Sequence, residues 1–304
     1  VELTITILMI DKSQTTRLNH FSIDFTIAKN TEAVVASTIE NIEFDYNFDK
    51  HTASIKTVTL SENGENLSIP EKIRFDEDGE IYTFTSIDFA KFDGLNVGTL
   101  SLPKSVNEIS IGAGTYVDNT HTTRYYDTNW TCQHIVIDEA NTTYRTVNDA
   151  IVAIENNELI FSVNLTESNA RTTGVTTVIP EGVVYIGNDA LYTLVTKFSD
   201  AEKKVVSRES AFTNVYIPES VKFIGSRVFQ DATRLENVEF PSALQAIGNN
   251  AFNNTKALNE DIVFPNTVRT IGESAFRYSG ITGITLPSSL EKVSNRSFAE
   301  CTNL

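Results

Sequence analysis

The sequence predicts a β-rich α/β solenoid built from repeats of about 23 residues, and two observations carry this prediction. All seven prolines follow a large apolar residue, and all seven have an aliphatic residue three positions later. The last four prolines, at positions 218, 241, 265 and 287, are 23, 24 and 22 residues apart. A unit of this size is too small to bury its own apolar face, so neighbouring units must stack around one shared core.

The segment before each proline alternates between apolar and polar residues, as in Val238–Phe240, where Glu239 separates two apolar side chains. Alternation with this period predicts a short strand with one face in the core. We expect one such strand per repeat, stacked in parallel from about Leu67 to Leu304. The residues three positions before the last four prolines should then lie on adjacent strands: Val215, Val238, Ile262 and Ile284.

The segments after Pro241 and Pro265 carry the pattern Ile-Gly-x-x-Ala-Phe, which predicts a tight turn or a short helical piece. Its small residue, Ala251 or Ala275, would let neighbouring units approach closely. The aromatic residue that follows, Phe252 or Phe276, should fill the interior and contact no ligand.

Two segments interrupt the repeats. The unit at Pro103 has Gly114 where the large apolar residue is expected, and it runs into an irregular segment. The unit at Pro180 is followed by about 15 extra residues, in which Ser199 precedes Glu202 by three positions. This capping-box spacing predicts a short helix over 200–209, within an insertion that spans 192–211.

The last unit, Leu286–Leu304, matches its internal neighbours and places Cys301 in a small, half-buried slot after Phe298. Such a unit exposes a stacking surface and a strand edge. We therefore expect further repeats or a cap beyond Leu304, or end-to-end self-association at this uncapped end.

Composition excludes several classes of protein. Acidic residues outnumber basic ones by 40 to 24, and the net charge of −16 argues against nucleic acids and anionic membranes as partners. The longest apolar stretch, Leu3–Ile10, is too short to span a bilayer, so no membrane insertion is expected. Two cysteines exclude a disulfide framework and a four-cysteine zinc site.

No pattern in the sequence predicts a catalytic or metal centre. Cys132 and His134 could pair, but residues two apart on a strand need not meet, and no third group orients them. The spacing of Asp118, His121, Asp127 and His134 matches no metal motif. The acidic run 76–80 lacks the distal glutamate of a calcium loop and predicts a hairpin turn with Gly79 at the positive-φ position.

The segment Thr115–Trp130 is rich in aromatic residues set among Thr, Asn and Asp. Tyrosine and tryptophan offer large rigid surfaces and lose little conformational entropy when they bind. Binding loops are rich in these residues together with small polar ones. The candidate ligand-binding residues are Tyr116, Tyr125, Tyr126 and Trp130. The alternative is that these side chains fold back and pack on the repeats.

The motif L-x-x-V-x-F-P of residues 235–241, followed by L-x-x-I-G-x-x-A-F of residues 244–252, resembles the BspA-type leucine-rich repeats of bacterial and some protist surface proteins. Three further segments resemble units of that family. Residues 42–70 resemble its N-terminal hairpin, residues 73–87 its next hairpin, and residues 135–162 a β-rich unit inserted between repeats.

The resemblance implies a leucine-rich repeat solenoid over 42–304, with a β-hairpin cap at 42–66 and an irregular, β-hairpin insertion at 113–177; residues 1–41 lie outside it. It implies a non-enzymatic module without a cofactor, at the cell surface or secreted, with its signal peptide removed. Such a module would adhere to proteins or other macromolecules of a host or neighbouring cell. The alternative is a carbohydrate-binding surface protein that uses residues 115–130.

Overall fold

The computed structural model describes residues 34–35, 41–111, 114–117, 123–126, 130–162, 176–191, 194–199, 204–210 and 213–304. The strands as far as the inserted unit are β1 (Val34–Val35), β2 (Ile42–Asn47), β3 (Thr52–Val58), β4 (Glu65–Ser68), β5 (Lys72–Arg74), β6 (Ile81–Asp88), β7 (Asn96–Leu102), β8 (Glu108–Ser110), β9 (Gly114–Val117), β10 (Thr123–Tyr126), β11 (Thr131–Ile137), β12 (Tyr144–Val147), β13 (Ala150–Ala153) and β14 (Glu158–Ser162).

The remaining strands are β15 (Thr176–Val178), β16 (Tyr185–Ile186), β17 (Leu194–Ser199), β18 (Lys204–Ser210), β19 (Asn214–Tyr216), β20 (Phe223–Ile224), β21 (Asn237–Val238), β22 (Ala246–Ile247), β23 (Asp261–Val263), β24 (Thr270–Ile271), β25 (Gly283–Thr285) and β26 (Lys292–Val293). A 3₁₀ turn at Phe89–Phe92 follows β6. Within these ranges no helix has the length and hydrophobicity needed to cross a bilayer.

Each of the last four repeats contributes two short strands, one before its proline and one after it. The strands after the prolines, β16, β20, β22, β24 and β26, form an unbroken parallel ladder that continues from β14 of the inserted unit. Equivalent residues pair in register, for example Ile224 with Ile247 and Ile247 with Ile271. The prediction of one strand per repeat is therefore wrong, because the Ile of the Ile-Gly pattern pairs with its neighbours through the backbone.

Within the last four repeats, the ladder of strands before the prolines is interrupted once. Val215 pairs with Val238 and Ile262 pairs with Ile284, as expected, but β21 and β23 do not pair. The break falls in the 24-residue repeat, which is one residue longer than the repeat before it. There the backbone N–H of Val238 donates to Glu260 Oε1 at 2.9 Å. The carboxylate thus accepts a hydrogen bond that a paired strand would otherwise accept.

The glycine of the Ile-Gly pattern lets neighbouring repeats touch through their backbones at this position. A Cβ atom on Gly248 would lie 2.5 Å from the carbonyl carbon of Gly225, and one on Gly272 would lie 2.5 Å from that of Gly248. Each glycine N–H also donates to the preceding repeat, as from Gly248 to Ile224 O at 2.8 Å. Glycine allows this approach without displacing a neighbouring repeat. The last repeat has Ser294 at the same position, and its N–H donates to Ile271 O at 3.0 Å.

The phenylalanines of successive repeats stack along the core. The ring of Phe252 lies 4.9 Å from that of Phe229 and 5.0 Å from that of Phe276. Phe252, Phe276 and the alanine before each of them are fully buried, which confirms the predicted interior. Cys301 is half-buried in its slot, as predicted, with its Sγ 3.0 Å from Phe276 O.

Two antiparallel hairpins, β2–β3 and β5–β6, lie at the start of the described residues and share a sheet through the pairing of β3 with β6. The buried residues of the later repeats form one hydrophobic cluster. The apolar faces of these two hairpins belong to a second cluster, the N-terminal core cluster, which includes Tyr82, Phe84 and Phe89. The inserted segment forms an antiparallel sheet of β12, β13 and β14. Because β14 then pairs in parallel with β16, this unit starts the ladder of the later repeats.

The helix predicted over 200–209 is wrong. β17 and β18 form an antiparallel hairpin, and β18 occupies Lys204–Ser210. The segment is rich in β-branched residues, with Val195, Thr196, Val205 and Val206, which favour strands. This preference outweighs a single capping-box spacing.

Candidate interaction surfaces

Trp130, one of the four predicted ligand-binding residues, lies in the core of the N-terminal part. Its side chain is only 8% exposed. The indole stacks on Phe161 at 5.5 Å and lies 4.7 Å from Phe89 and 5.3 Å from Phe92. For this residue the structure therefore shows the packing alternative, because a buried indole offers no surface to a ligand.

The backbone of the other three candidates forms a hairpin of β9 and β10. Tyr116 pairs with Arg124, and Tyr125 pairs with Thr115. The side chains of Tyr116, Tyr125 and Tyr126 lie outside the part that the structure describes, so their binding role stays a prediction.

Cys132 and His134 do not form a reactive pair. The Cys132 thiol is buried and donates to His134 O at 2.8 Å, a backbone atom. Burial raises the pKa of this thiol to about 11, which disfavours the thiolate that a nucleophile requires. His134 instead meets the carboxylate of Asp149 at 3.2 Å on the surface.

No metal centre is found among the residues that the structure describes, where no three His, Cys, Asp or Glu side chains are grouped to hold an ion. Asp118, His121 and Asp127 lie outside those residues. The acidic run 76–80 forms the predicted hairpin turn, in which Gly79 has a φ of 73° and donates to Phe75 O at 2.8 Å.

The strands before the prolines expose apolar side chains that the core pattern does not require. Val263 is 66% exposed and Tyr216 is 49% exposed, and both lie two positions before a proline. Glu239 and Thr285 are exposed at the same position of the other two repeats. Across the break in this ladder the rings of Phe240 and Phe264 still stack at 5.6 Å, which keeps these repeats adjacent.

The proline-aligned pattern could have identified this surface. Positions that alternate with the core residues of a strand point outward, so the residue two before each proline is exposed by geometry. The aromatic segment 115–130, in contrast, lies outside the repeats and carries no signal beyond its composition.

Comparison with known families decides what the repeats are. A model of the BspA type leucine rich repeat region matches residues 199–304 in six copies. Residues 199–304 therefore carry repeats that match the BspA type. Repeat regions of the BspA type are generally protein-interaction modules rather than enzymes, in keeping with the extended surfaces that stacked repeats present.

Solved structures of bacterial proteins are similar to this chain. A leucine rich cell surface protein from Faecalibacterium prausnitzii has 16% identity and a TM-score of 0.41, with 88% of this chain and 92% of that chain covered. A leucine-rich repeat protein from Bacteroides ovatus has 18% identity and a TM-score of 0.39, with 88% and 69% covered. The pneumococcal vaccine antigen PcpA has 14% identity and a TM-score of 0.39, with 84% and 87% covered. No curated protein matches the chain.

Proposed function

We propose that this chain is a non-enzymatic module that binds a protein partner through the strands that precede the prolines. The observation that carries the proposal is the exposure of Val263 and Tyr216 at one repeat position. An exposed valine and tyrosine contribute nothing to the stacked core, whereas they supply the apolar contact that the centre of a protein interface needs.

The polar residues on the same strands indicate what kind of partner fits. Asn214 and Asn237 are linked by a side-chain hydrogen bond of 3.0 Å, so their amides form a short ladder. Glu239 and Asp261 are exposed beside them. A partner surface with an apolar centre and a basic or amide-rich rim would be complementary to this set.

The predicted cell-surface or secreted location and adhesion to a host or neighbouring cell belong to this proposal, as does a continuous solenoid with a β-hairpin cap. The unbroken ladder of strands after the prolines supports the solenoid, because it joins the inserted unit to every later repeat. The alternative is carbohydrate binding by residues 115–130. Because Trp130 is buried, this alternative depends on Tyr116, Tyr125 and Tyr126.

The experiment uses a panel of immobilised, purified extracellular-matrix and mucin proteins, each with and without enzymatic removal of its glycans. We expect the chain to bind a panel protein after deglycosylation, and we expect Tyr216→Ser/Val263→Ser to weaken this binding at least about tenfold. Tyr278→Ser is the matched control, because Tyr278 is exposed outside these strands. Undiminished binding by the double variant, or binding lost with the glycans, would overturn the proposal.

A further inference from the structure

The strands β1, β5, β6, β3 and β2 form one sheet, and β8 pairs with β6 at its side. A groove of about 680 Å³ crosses the exposed face of this sheet, from the turn of the β2–β3 hairpin to the start of β8. This volume lies within the range of sites that hold small ligands. Neither the last four repeats nor the segment 115–130 contributes to it, so it is separate from the surface proposed above.

Hydroxyl groups dominate the part of the groove that lies on the strands. Thr52, Ser54, Thr85 and Ser86 line it and are half-buried. Neighbours on a regular strand point to opposite faces, yet Thr85 and Ser86 both reach the groove. A β-bulge explains this, because the pairing of β3 with β6 moves from Phe84 directly to Ser86. Bulges re-aim side chains and are over-represented at functional sites.

Carboxylates and amides form the rim of the groove. Within the described residues, the side chains of Asp45, Asp49 and Glu108 have no hydrogen-bond or ion-pair partner. The amides of Asn47 and Asn107 lie beside them. A carboxylate accepts several hydrogen bonds, while hydroxyls and amides both donate and accept. A ligand that carries many hydroxyl groups can satisfy this mixture of donors and acceptors.

An exposed aromatic ring stands at the hairpin end of the groove. Phe48 is 57% exposed. Its ring lies 5.7 Å from that of Phe75 and 5.9 Å from that of Tyr82, and these contacts hold it in place. A fixed aromatic surface beside polar groups matches a sugar ring, which has apolar C–H faces and a polar edge.

The charge of the groove selects among sugars. Three carboxylates and one ammonium, that of Lys50, line it, so the groove is net negative in a chain of net charge −16. Sialylated, sulfated and uronic-acid glycans would be repelled. We propose that this groove binds a neutral oligosaccharide through Phe48 and the carboxylates of its rim.

The test is an array of neutral hexose and N-acetylhexosamine oligosaccharides together with sialylated and sulfated ones, followed by calorimetry on the neutral sugar that binds best. Asp45→Asn and Phe48→Ala should each weaken its binding at least about tenfold, since each removes one main contact. Glu43→Gln, on the same strand but outside the groove, should leave the affinity within about twofold. Both substituted groove residues are exposed, and circular dichroism would verify that each variant is folded.

Three results would overturn the proposal. The first is the absence of any neutral glycan signal from folded protein. The second is neutral binding that both groove variants retain. The third is capture of a lysine-rich peptide, lost in Phe48→Ala, in place of a sugar, which would make the groove a site for basic proteins. Tyr216→Ser/Val263→Ser should bind the sugar normally, so this test is independent of the protein-interaction surface.

Discussion

Replacing Phe252 with alanine removes a ring that is fully buried between two other rings. Phe229 lies 4.9 Å away on one side and Phe276 lies 5.0 Å away on the other, and the edge of Phe240 is 5.6 Å away. No neighbour can collapse into the space without breaking its own stacking contact. The cavity term should therefore add to the lost transfer free energy.

The expected loss is about 3–5 kcal/mol in the free energy of unfolding, the range for buried aromatic truncations. Phe298→Ala provides a matched comparison in the same column. Its ring is only half-buried, stacks on Phe276 at 5.6 Å and meets Phe264 edge-on at 6.4 Å. About half the effect of Phe252→Ala is expected there, since both the buried area and the number of stacked partners are smaller.

Urea denaturation measures both variants with two probes. Far-UV circular dichroism follows all strands, whereas fluorescence follows Trp130, the only tryptophan, in the N-terminal core cluster. Coincident shifts of both signals would show that the two clusters unfold together. A loss below about 1 kcal/mol for Phe252→Ala, or an equal loss for Phe298→Ala, would refute the assigned interior.

Three further predictions concern backbone contact, a capped strand and a buried phenol. Gly248→Ala should cost about 1–3 kcal/mol, because its Cβ would lie 2.5 Å from a backbone carbon. Glu260→Ala should cost a similar amount by leaving the N–H of Val238 unpaired, whereas Glu260→Gln keeps the acceptor. The hydrogen bond to Asp78 raises the pKa of Tyr82 to about 12, so this bond should stabilise the fold fully below pH 10 and be lost between pH 10 and 12.

Calorimetric melting temperatures check the first two predictions, and an unchanged melting temperature for Gly248→Ala or equal values for the two Glu260 variants would contradict them. The third needs the difference in ultraviolet titration between the native chain and Tyr82→Phe. A midpoint near pH 10 in that difference would show that the hydrogen bond to Asp78 does not form.

The proline-aligned columns were enough to predict the repeats, the buried rings and the strands before the prolines. They did not reveal the second ladder, because a two-residue strand such as Ala246–Ile247 has no period of its own. Its pairing is set by repeats on either side. The break at Glu260 likewise depends on one extra residue whose effect appears only when adjacent repeats are superposed.

The candidate binding residues were harder to predict, because composition is the same for a binding loop and a packed one. Trp130 is buried by Phe89, Phe92 and Phe161, which lie about 30–40 residues away on either side in sequence. The groove at Phe48 joins segments that are separated by up to 60 residues and needs a bulge to complete it. No local pattern encodes such a convergence.

The column of glycines at which neighbouring repeats touch, Gly225, Gly248 and Gly272, also bears on how such a chain can change over generations. The repeats at Pro218 and Pro241 each present a glycine to the repeat before them and receive one from the repeat after them, whereas the Pro265 repeat receives Ser294. The two sides of a unit are therefore interchangeable with those of its neighbours. A recombination event that duplicates or deletes one such unit would preserve both junctions, so the length of the array can vary by gene rearrangement.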